Sequence, residues 1–580
     1  MTFKQLRRNL KNDFSEFREV KIALLADSAS QLLAVAIRGC GYEHQLDLKV
    51  HEADYDQINQ ELLNPHSEYY TTAQDFTILF HSVHKLRKKF YQLPIDERKD
   101  FASNHIAHCQ TLFDSITSNT NSKIIYFNFP IVNDEVFGHH ANKTQHSFIY
   151  QLRKINFQLM EVSQQNAALY IHDLQALQGR YGQDVVLDTN MYINADMPLS
   201  VDFLPVVADS TIAIIRASLG KIKKCLVLDL DNTIWGGIIG DDGLEKIQIG
   251  DLGVGKAFSE FQQWAKELKE RGVILAICSK NDEKNAKEPF EKHPDMVLRL
   301  DDIAIFVANW ENKADNIAFI QQTLNIGLDS IVFIDDNPFE RNMVRTHLPQ
   351  VTVPELPEDP ALYLNYLTSL YLFETVSFTT NDSDRTRQYQ AEAKRVVTKN
   401  SFANEEEFLA SLDMKAKIES FNRFNTPRVA QLTQRSNQFN LRTIRYTEHE
   451  IEKIANSEDY ITLSLSLSDK FGDHGIISVL ILEKKGEATL FVDTWIMSCR
   501  VLKRGVEYFA LNKLVEIAKK HQAKQLRGEY LPTAKNGLVK DHYADLGFQA
   551  EDGYWVLDVA SFSEKENYIQ EDQLINLTNG

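Results

Sequence analysis

KCLVLDLDNTIWGG, residues 224–237, decides how the middle of this chain folds. The apolar run Cys225–Leu228 is unbroken and short, the mark of a strand buried on both faces rather than of an amphipathic helix. It stops at Asp229, and Asp231 and Thr233 follow at a spacing of two. A strand buried on both faces belongs to a parallel sheet, whose carboxyl ends form a ligand crevice. There Asp229 presents its carboxylate, and the curling chain turns Asp231 toward the same space. Working outward, apolar runs that end in polar residues recur at VILAICSKND (273–282), AIFVANW (304–310) and SIVFIDDN (330–337). Helical stretches such as AFSEFQQWAKELKERG (257–272) separate them. This alternation predicts a doubly wound α/β sheet with Asp229, Ser279-Lys280, Asn309 and Asp335-Asp336 along one edge.

Lys313, opening the helix after Trp310-Glu311-Asn312, adds an ammonium to the carboxylates and the hydroxyl, a set that suits a phosphate held with a hard divalent cation. Single aspartates after strands also serve as helix caps, so the signal lies in four motifs in order: Asp229-x-Asp231-x-Thr233, Ser279, Lys313 and Asp335-Asp336. In that order they resemble the haloacid dehalogenase (HAD) superfamily. The resemblance implies Asp229 as the nucleophile that takes a phosphoryl group, and Asp231 as the acid that protonates the leaving oxygen and later activates water. Ser279 and Lys313 would hold phosphoryl oxygens, with Thr233, Asn232, Lys280 and Asn281 as further substrate-binding positions. Mg2+ would sit between the Asp229 carboxylate, the Asp231 carbonyl and Asp336, with Asp335 as helper. A carboxylate approaches a phosphate dianion only once a cation and an ammonium cancel the repulsion.

Under about fifty residues separate Thr233 from Ser279 and about thirty-five separate Ser279 from Lys313, so no cap domain fits beyond a short flap at WGGIIGDDG (235–243). An uncapped site expects a lid from a flanking domain or from another subunit of a homo-oligomer. KCLVLDLDNTIWGGIIGDDG, ICSKND, VFIDDNPFER, QRSNQFNLRT and SCRVLKRGVE are together similar to the FkbH-like subgroup, over about residues 200–550. That subgroup implies either hydrolysis of a phosphorylated metabolite or transfer of a glyceryl unit from a phosphoglycerate, through a cysteine, to an acyl carrier protein. Cys278 is then either the acyl-bearing thiol or a small buried strand residue.

The whole chain has 580 residues, 43% hydrophobic and 25% charged, with 14 prolines and 24 glycines, and reads as several folded domains without low-complexity tracts. Boundaries are expected at 1–200, 201–375, 376–414 (a helical linker, following the helical ALYLNYLTSLYLF) and 415–580. A formal charge of −18 repels a phosphate backbone and argues against nucleic acid. Five scattered cysteines form no metal-ligand pairs and suit a reducing, cytoplasmic setting; no apolar run suits a membrane span.

The opening strand KIALLADS (21–28) and helix SQLLAVAIRGCG (30–41) begin an N-terminal α/β domain that resembles SGNH hydrolases, or a flavodoxin-like sheet, with Ser28 at the nucleophile position. The activating Asp-x-x-His pair is missing, and Ser28 reads as a helix cap. His139 and His140 have no spacing that demands a metal. Strands at ITLSLSLS, GIISVLILEKK and EATLFVDTWIM followed by the helix VEYFALNKLVEIAKKH give an α+β C-terminal domain with a largely antiparallel sheet, which resembles GNAT acetyltransferases. By that resemblance Arg500, Arg504 and Gly505 would meet the pyrophosphate of coenzyme A or an acyl-CoA, although Lys503 stands where the family keeps glycine. Tyr543 reads either as a general acid or as core. Asn437, Gln438 and Asn440 read as substrate contacts or helix-end caps.

Overall fold

The structure, a computed structural model, describes residues 1–379, 385–399, 402, 404–436, 438–486, 488–498, 501–533 and 535–572. It divides into two compact units, 1–216 and 217–580. The helix Leu204–Ser218, which begins after the boundary expected near residue 200, lies with the first unit as far as Arg216.

In the first unit, β1 (Arg18–Ala26), β2 (Leu46–Glu52), β3 (Phe76–Phe80), β4 (Lys123–Phe127) and β5 (Leu169–His172) form a parallel sheet in the order β2-β1-β3-β4-β5. This is the flavodoxin-like order. All of β3 is buried, as a central parallel strand covered on both faces must be. Ser28 does not cap the helix that follows β1. The cap position of Gln31–Glu43 is Ser30, and the Ser28 hydroxyl is buried without a hydrogen-bond partner. His139 and His140 are exposed on the short helix Gly138–Lys143.

In the second unit, β6 (Cys225–Leu228), β7 (Ile274–Ser279), β8 (Ile305–Ala308) and β9 (Ile331–Ile334) pair in parallel in the order β8-β7-β6-β9. Successive side chains alternate between faces. Leu226, Leu228, Leu275 and Ile277 therefore pack with Phe258, Phe261 and Ala265 of helix Gly253–Glu270. Val227, Ala276 and Cys278 pack with Ile317, Ile320 and Leu324 of helix Lys313–Leu324 on the other side. Only the short helix Ile239–Asp242 and helix Gly253–Glu270 intervene between Thr233 and β7, so no cap domain is inserted there. After this sheet, the expected helix through ALYLNYLTSLYLF is a single turn Pro360–Leu362 and a helix Tyr363–Ser369, ended near Tyr371, whose φ is +47. Such a left-handed residue does not continue a right-handed helix.

The same unit carries a second, eight-stranded sheet. Its strands are β10 (Met414–Glu419), β11 (Tyr460–Asp469), β12 (Gly472–Lys485), β13 (Thr489–Met497), β14 (Gln525–Gly528), β15 (Gln549–Glu551), β16 (Tyr554–Asp558) and β17 (Ile569–Glu571). The order is β15-β16-β14-β13-β12-β11-β10-β17, antiparallel except for β13 with β14 and β10 with β17. This is the largely antiparallel α+β arrangement expected. Strand β13 pairs with β14 only from Thr489 to Val492, whereas its pairing with β12 continues to Met497. Gly528 is required at the end of β14, since a Cβ there would come within 2.3 Å of the Tyr543 ring. Among the described residues no helix is long and apolar enough to cross a membrane.

Candidate active site

Strand order places the site. The chain leaves β6 toward β7 on one side, while β9 joins β6 on the other, so a crevice opens beyond the carboxyl ends of β6 and β9. Asp229 follows β6, Asp335 and Asp336 follow β9, and Ser279 ends β7. Asn312 caps the helix after β8 by accepting from the Ala314 N–H at 2.7 Å, which fixes Lys313 as its first residue.

These groups meet. Lys313 Nζ lies 2.9 Å from Asp229 Oδ2 and 2.5 Å from Asp335 Oδ2, with the lysine side chain 3% exposed. Asp229, Asp335 and Asp336 each offer a carboxylate oxygen within 4.8 Å of the others. One ammonium cannot balance three carboxylates packed this closely, and buried charge without compensation is costly. The imbalance shows in the titration of the group. Burial, and then the neighbouring Asp229, push Asp335 up to about 7 against the pull of Lys313. Asp336 is raised by the same two causes. Burial opposes the charge on Lys313, but Asp229 and Asp335 outweigh it and hold the ammonium above its ordinary value. Asp229 Oδ1 is buried with no hydrogen-bond partner. A buried carboxylate oxygen left unpaired in a ring of oxygen donors is the atom a magnesium-type cation would take, with Asp335 and Asp336 as its companions.

The other expected residues are braced around this centre. Both oxygens of Asp231 are engaged: Oδ1 accepts from Trp235 Nε1 at 2.9 Å and from the Ile239 N–H at 3.0 Å, and Oδ2 accepts from Asn281 Nδ2 at 2.9 Å. The flap 235–243 is thereby fastened to Asp231, whose carboxylate stands outside the clustered three. Asn281 also reaches Ser279 Oγ at 3.2 Å, which links the ends of β6 and β7. Thr233 Oγ1 accepts from the Asp336 N–H at 3.1 Å and so ties the first motif to the last. Asn232, exposed and at φ +54, accepts from the Gly237 N–H at 2.9 Å, and Lys280 pairs with Glu340 at 2.7 Å.

Two residues inside the quoted motifs carry roles that local pattern did not reveal. Arg341 donates to the carbonyls of Asp335 at 2.8 Å and Asp336 at 2.6 Å, clamping the loop that presents both carboxylates. Trp235 holds Asp231. The signal was present, as an indole and a guanidinium within IWGG and PFER, but their targets are set by the tertiary fold.

Cys278, one residue before Ser279, faces the opposite way. It is fully buried, its thiol 3.7 Å from the Lys313 carbonyl, and burial pushes it well above the ordinary thiol range. Cys40, Cys109 and Cys225 are equally buried. No two of these four lie together as metal ligands, but Cys40 has a histidine and a carboxylate beside it. Cys40, His44 and Asp209 offer ligand atoms within 4.8 Å, and His44 Nε2 stands 3.1 Å from Asp209 Oδ1. Cys40 and His44 are four apart around the end of one helix, and Asp209 comes from far along the chain, so the third member is not legible from local spacing.

In the C-terminal sheet domain, Arg500 and Asn437 lie outside the described residues. Arg504 is turned inward to Glu392 and Asp469 and is 5% exposed, so its guanidinium does not front an open pyrophosphate loop. Gly505 takes φ +77 at the helix start, and Lys503, at φ +62, adopts the left-handed conformation in which a glycine costs nothing. Tyr543 is 1% exposed and packed against Phe548 and Trp555 as core. Asn440 closes a turn by accepting from the Thr443 N–H.

A family model described as the FkbH N-terminal domain matches residues 21–216. The chain is similar to the N-terminal part of the protein BF1531 from Bacteroides fragilis, a crystal structure containing a phosphatase domain complexed with Mg. The two are 52% identical, with a TM-score of 0.63, over 65% of this chain and 100% of that one. The ribosomal-protein-S18-alanine N-acetyltransferase from Escherichia coli is 16% identical over 26% of this chain and 98% of its own, with a TM-score of 0.20, too low to carry a conclusion. No curated protein matches.

Proposed function

The chain belongs to the FkbH family, and from that premise we propose that its middle domain is a magnesium-dependent, HAD-type phosphohydrolase acting on a phosphorylated metabolite through a phosphoaspartate. The observation that carries this reading is Asp229: one oxygen ion-paired with Lys313 at 2.9 Å, the other buried and unpaired between two further carboxylates. We place the domain up to about residue 375, followed by a helical bridge 376–414 and the sheet domain 415–580.

A magnesium ion held by Asp229, Asp336 and the Asp231 carbonyl, with Asp335 assisting, would supply the positive charge that lets a carboxylate meet a phosphate. Asp229 then forms a bond to phosphorus as the ester bond breaks, and Asp231 gives its proton to the departing oxygen. In the second half Asp231 takes a proton from water, which attacks phosphorus and releases phosphate from Asp229. Lys313 and Ser279 hold the phosphoryl oxygens, and Arg341 keeps the Asp335-Asp336 loop in place. Asn281 and Trp235 orient Asp231.

Replacing Asp229 by Asn tests the nucleophile. Release of phosphate from a panel of phosphoesters should fall by roughly three orders of magnitude or more while the circular dichroism spectrum is unchanged. Undiminished release would rule the mechanism out.

The alternative, transfer of a glyceryl unit to an acyl carrier protein, needs a reactive thiol. The four described cysteines are buried, with Cys278 turned into the core, and Cys499 lies outside the described residues. Hydrolysis needs only groups already assembled, and release of phosphate without a carrier protein distinguishes the two.

A further inference from the structure

Away from the crevice, the second unit encloses a cavity of about 310 Å³ between the middle sheet and the eight-stranded sheet domain. Five cationic side chains line it: Lys224, Arg385, Arg428, Arg435 and Lys535. Asp329 is the one carboxylate among its described lining residues. In a chain of net charge −18 this concentration of positive charge is against the average. A cleft with low-dielectric walls focuses such a field on whatever enters it. Asp329 is ion-paired with Lys535: burial works against its charge, yet the hydrogen bond from Lys535, with Lys223 and Lys224 behind it, holds it below the usual carboxylate range. Arg428 is 8% exposed and its guanidinium donates to Gln431 Oε1 beside the cavity.

We propose that this cavity is a second ligand site, built for the phosphate group of a small phosphate ester. Its size is that of a small-molecule site. Guanidinium forks match phosphate oxygens two at a time, and three of the five cations are arginines. The hydroxyls of Ser436 and Ser498 line the same space and add neutral donors. Arg435, Ser436 and Gln438 come from QRSNQFNLRT and Ser498 from SCRVLKRGVE, two motifs the phosphatase reaction leaves unused.

The site is separate from the phosphatase centre. Lys224 precedes β6 and Asp329 precedes β9, so the cavity meets the middle sheet at its amino edge. Asp229, Asp335 and Asp336 stand at the carboxyl edge, a strand length away.

The test is calorimetric titration of the full chain with inorganic pyrophosphate in EDTA, where three carboxylates without a cation repel an anion from the phosphatase centre. One pyrophosphate should bind. Arg385→Gln combined with Arg435→Gln should weaken binding by roughly tenfold or more, as should Lys535→Glu. Lys535 faces solvent, so its replacement decides the matter even if the double variant does not fold. Coenzyme A is the second probe. Competition with pyrophosphate identifies a nucleotide-borne phosphate as the source, and binding of pyrophosphate alone identifies a smaller ester. Absence of binding by both probes, binding indifferent to the substitutions, or equal binding of citrate would overturn the proposal.

Discussion

Asp231 is held by three N–H donors, and the one from Asn281 is the only one that comes from a different strand end. Asn281→Ala should therefore lower kcat by roughly ten- to a hundredfold with little change in KM, because an acid-base group out of position loses proton transfer before it loses affinity. Steady-state phosphate release measures it, and an unchanged kcat would remove Asn281 from the mechanism. In the first unit Asp27 gives a pH prediction of defined sign. Burial pushes its carboxyl from 3.8 up to about 6, against the Ser82 N–H that it accepts at 2.7 Å. The folded chain thus favours the protonated form. The stability this confers is complete below about pH 4 and is lost as pH rises through about 6, where a buried carboxylate costs about 3 kcal/mol. Asp27→Asn keeps an acceptor without the charge, so urea unfolding should show the variant gaining on the parent between pH 4 and pH 8.

At the level of elements, the helix Lys313–Leu324 does two things: its apolar face fills one side of the middle core, and its first residue sets an ammonium between two crevice carboxylates. Lys313→Met preserves the first and removes the second. Two buried carboxylates are then left facing each other, which costs about 3–5 kcal/mol when one partner of a buried pair is removed. The melting temperature should fall in EDTA and recover in part with magnesium, whose charge replaces that of the ammonium. A variant equally stable in both conditions would show that the carboxylates do not share a cation. Strand β7 shows how fine the division of labour is, since Cys278 and Ser279 differ by one position and hence by one face of the sheet. Had the register slipped by one, the thiol would front the crevice.

Across the whole molecule, metal and stability should be linked. Magnesium at a hundred times its dissociation constant would stabilise the second unit by about 2.7 kcal/mol, visible as a higher unfolding midpoint, and EDTA would remove that gain together with phosphate release. The order of motifs and the parallel sheet were legible in the sequence. Strands buried on both faces leave unbroken apolar runs, and the polar residues that end them are local features of the chain. The antiparallel C-terminal sheet was legible for the same reason, through runs of apolar residues and a following amphipathic helix. Arg504 was not: the sequence allowed it to face coenzyme A, and Glu392, 112 residues away, draws it inward. Nor were the Cys40, His44 and Asp209 cluster, the clamp of Arg341 on two carbonyls, or the cavity whose cations come from positions 224, 385, 428, 435 and 535. The sequence by itself determined the elements and the chemistry at their ends, because backbone periodicity and burial are read within a few residues. Only the tertiary structure decided which charges face one another, because Coulomb energy depends on distance and burial in space, and neither is written in the separation along the chain.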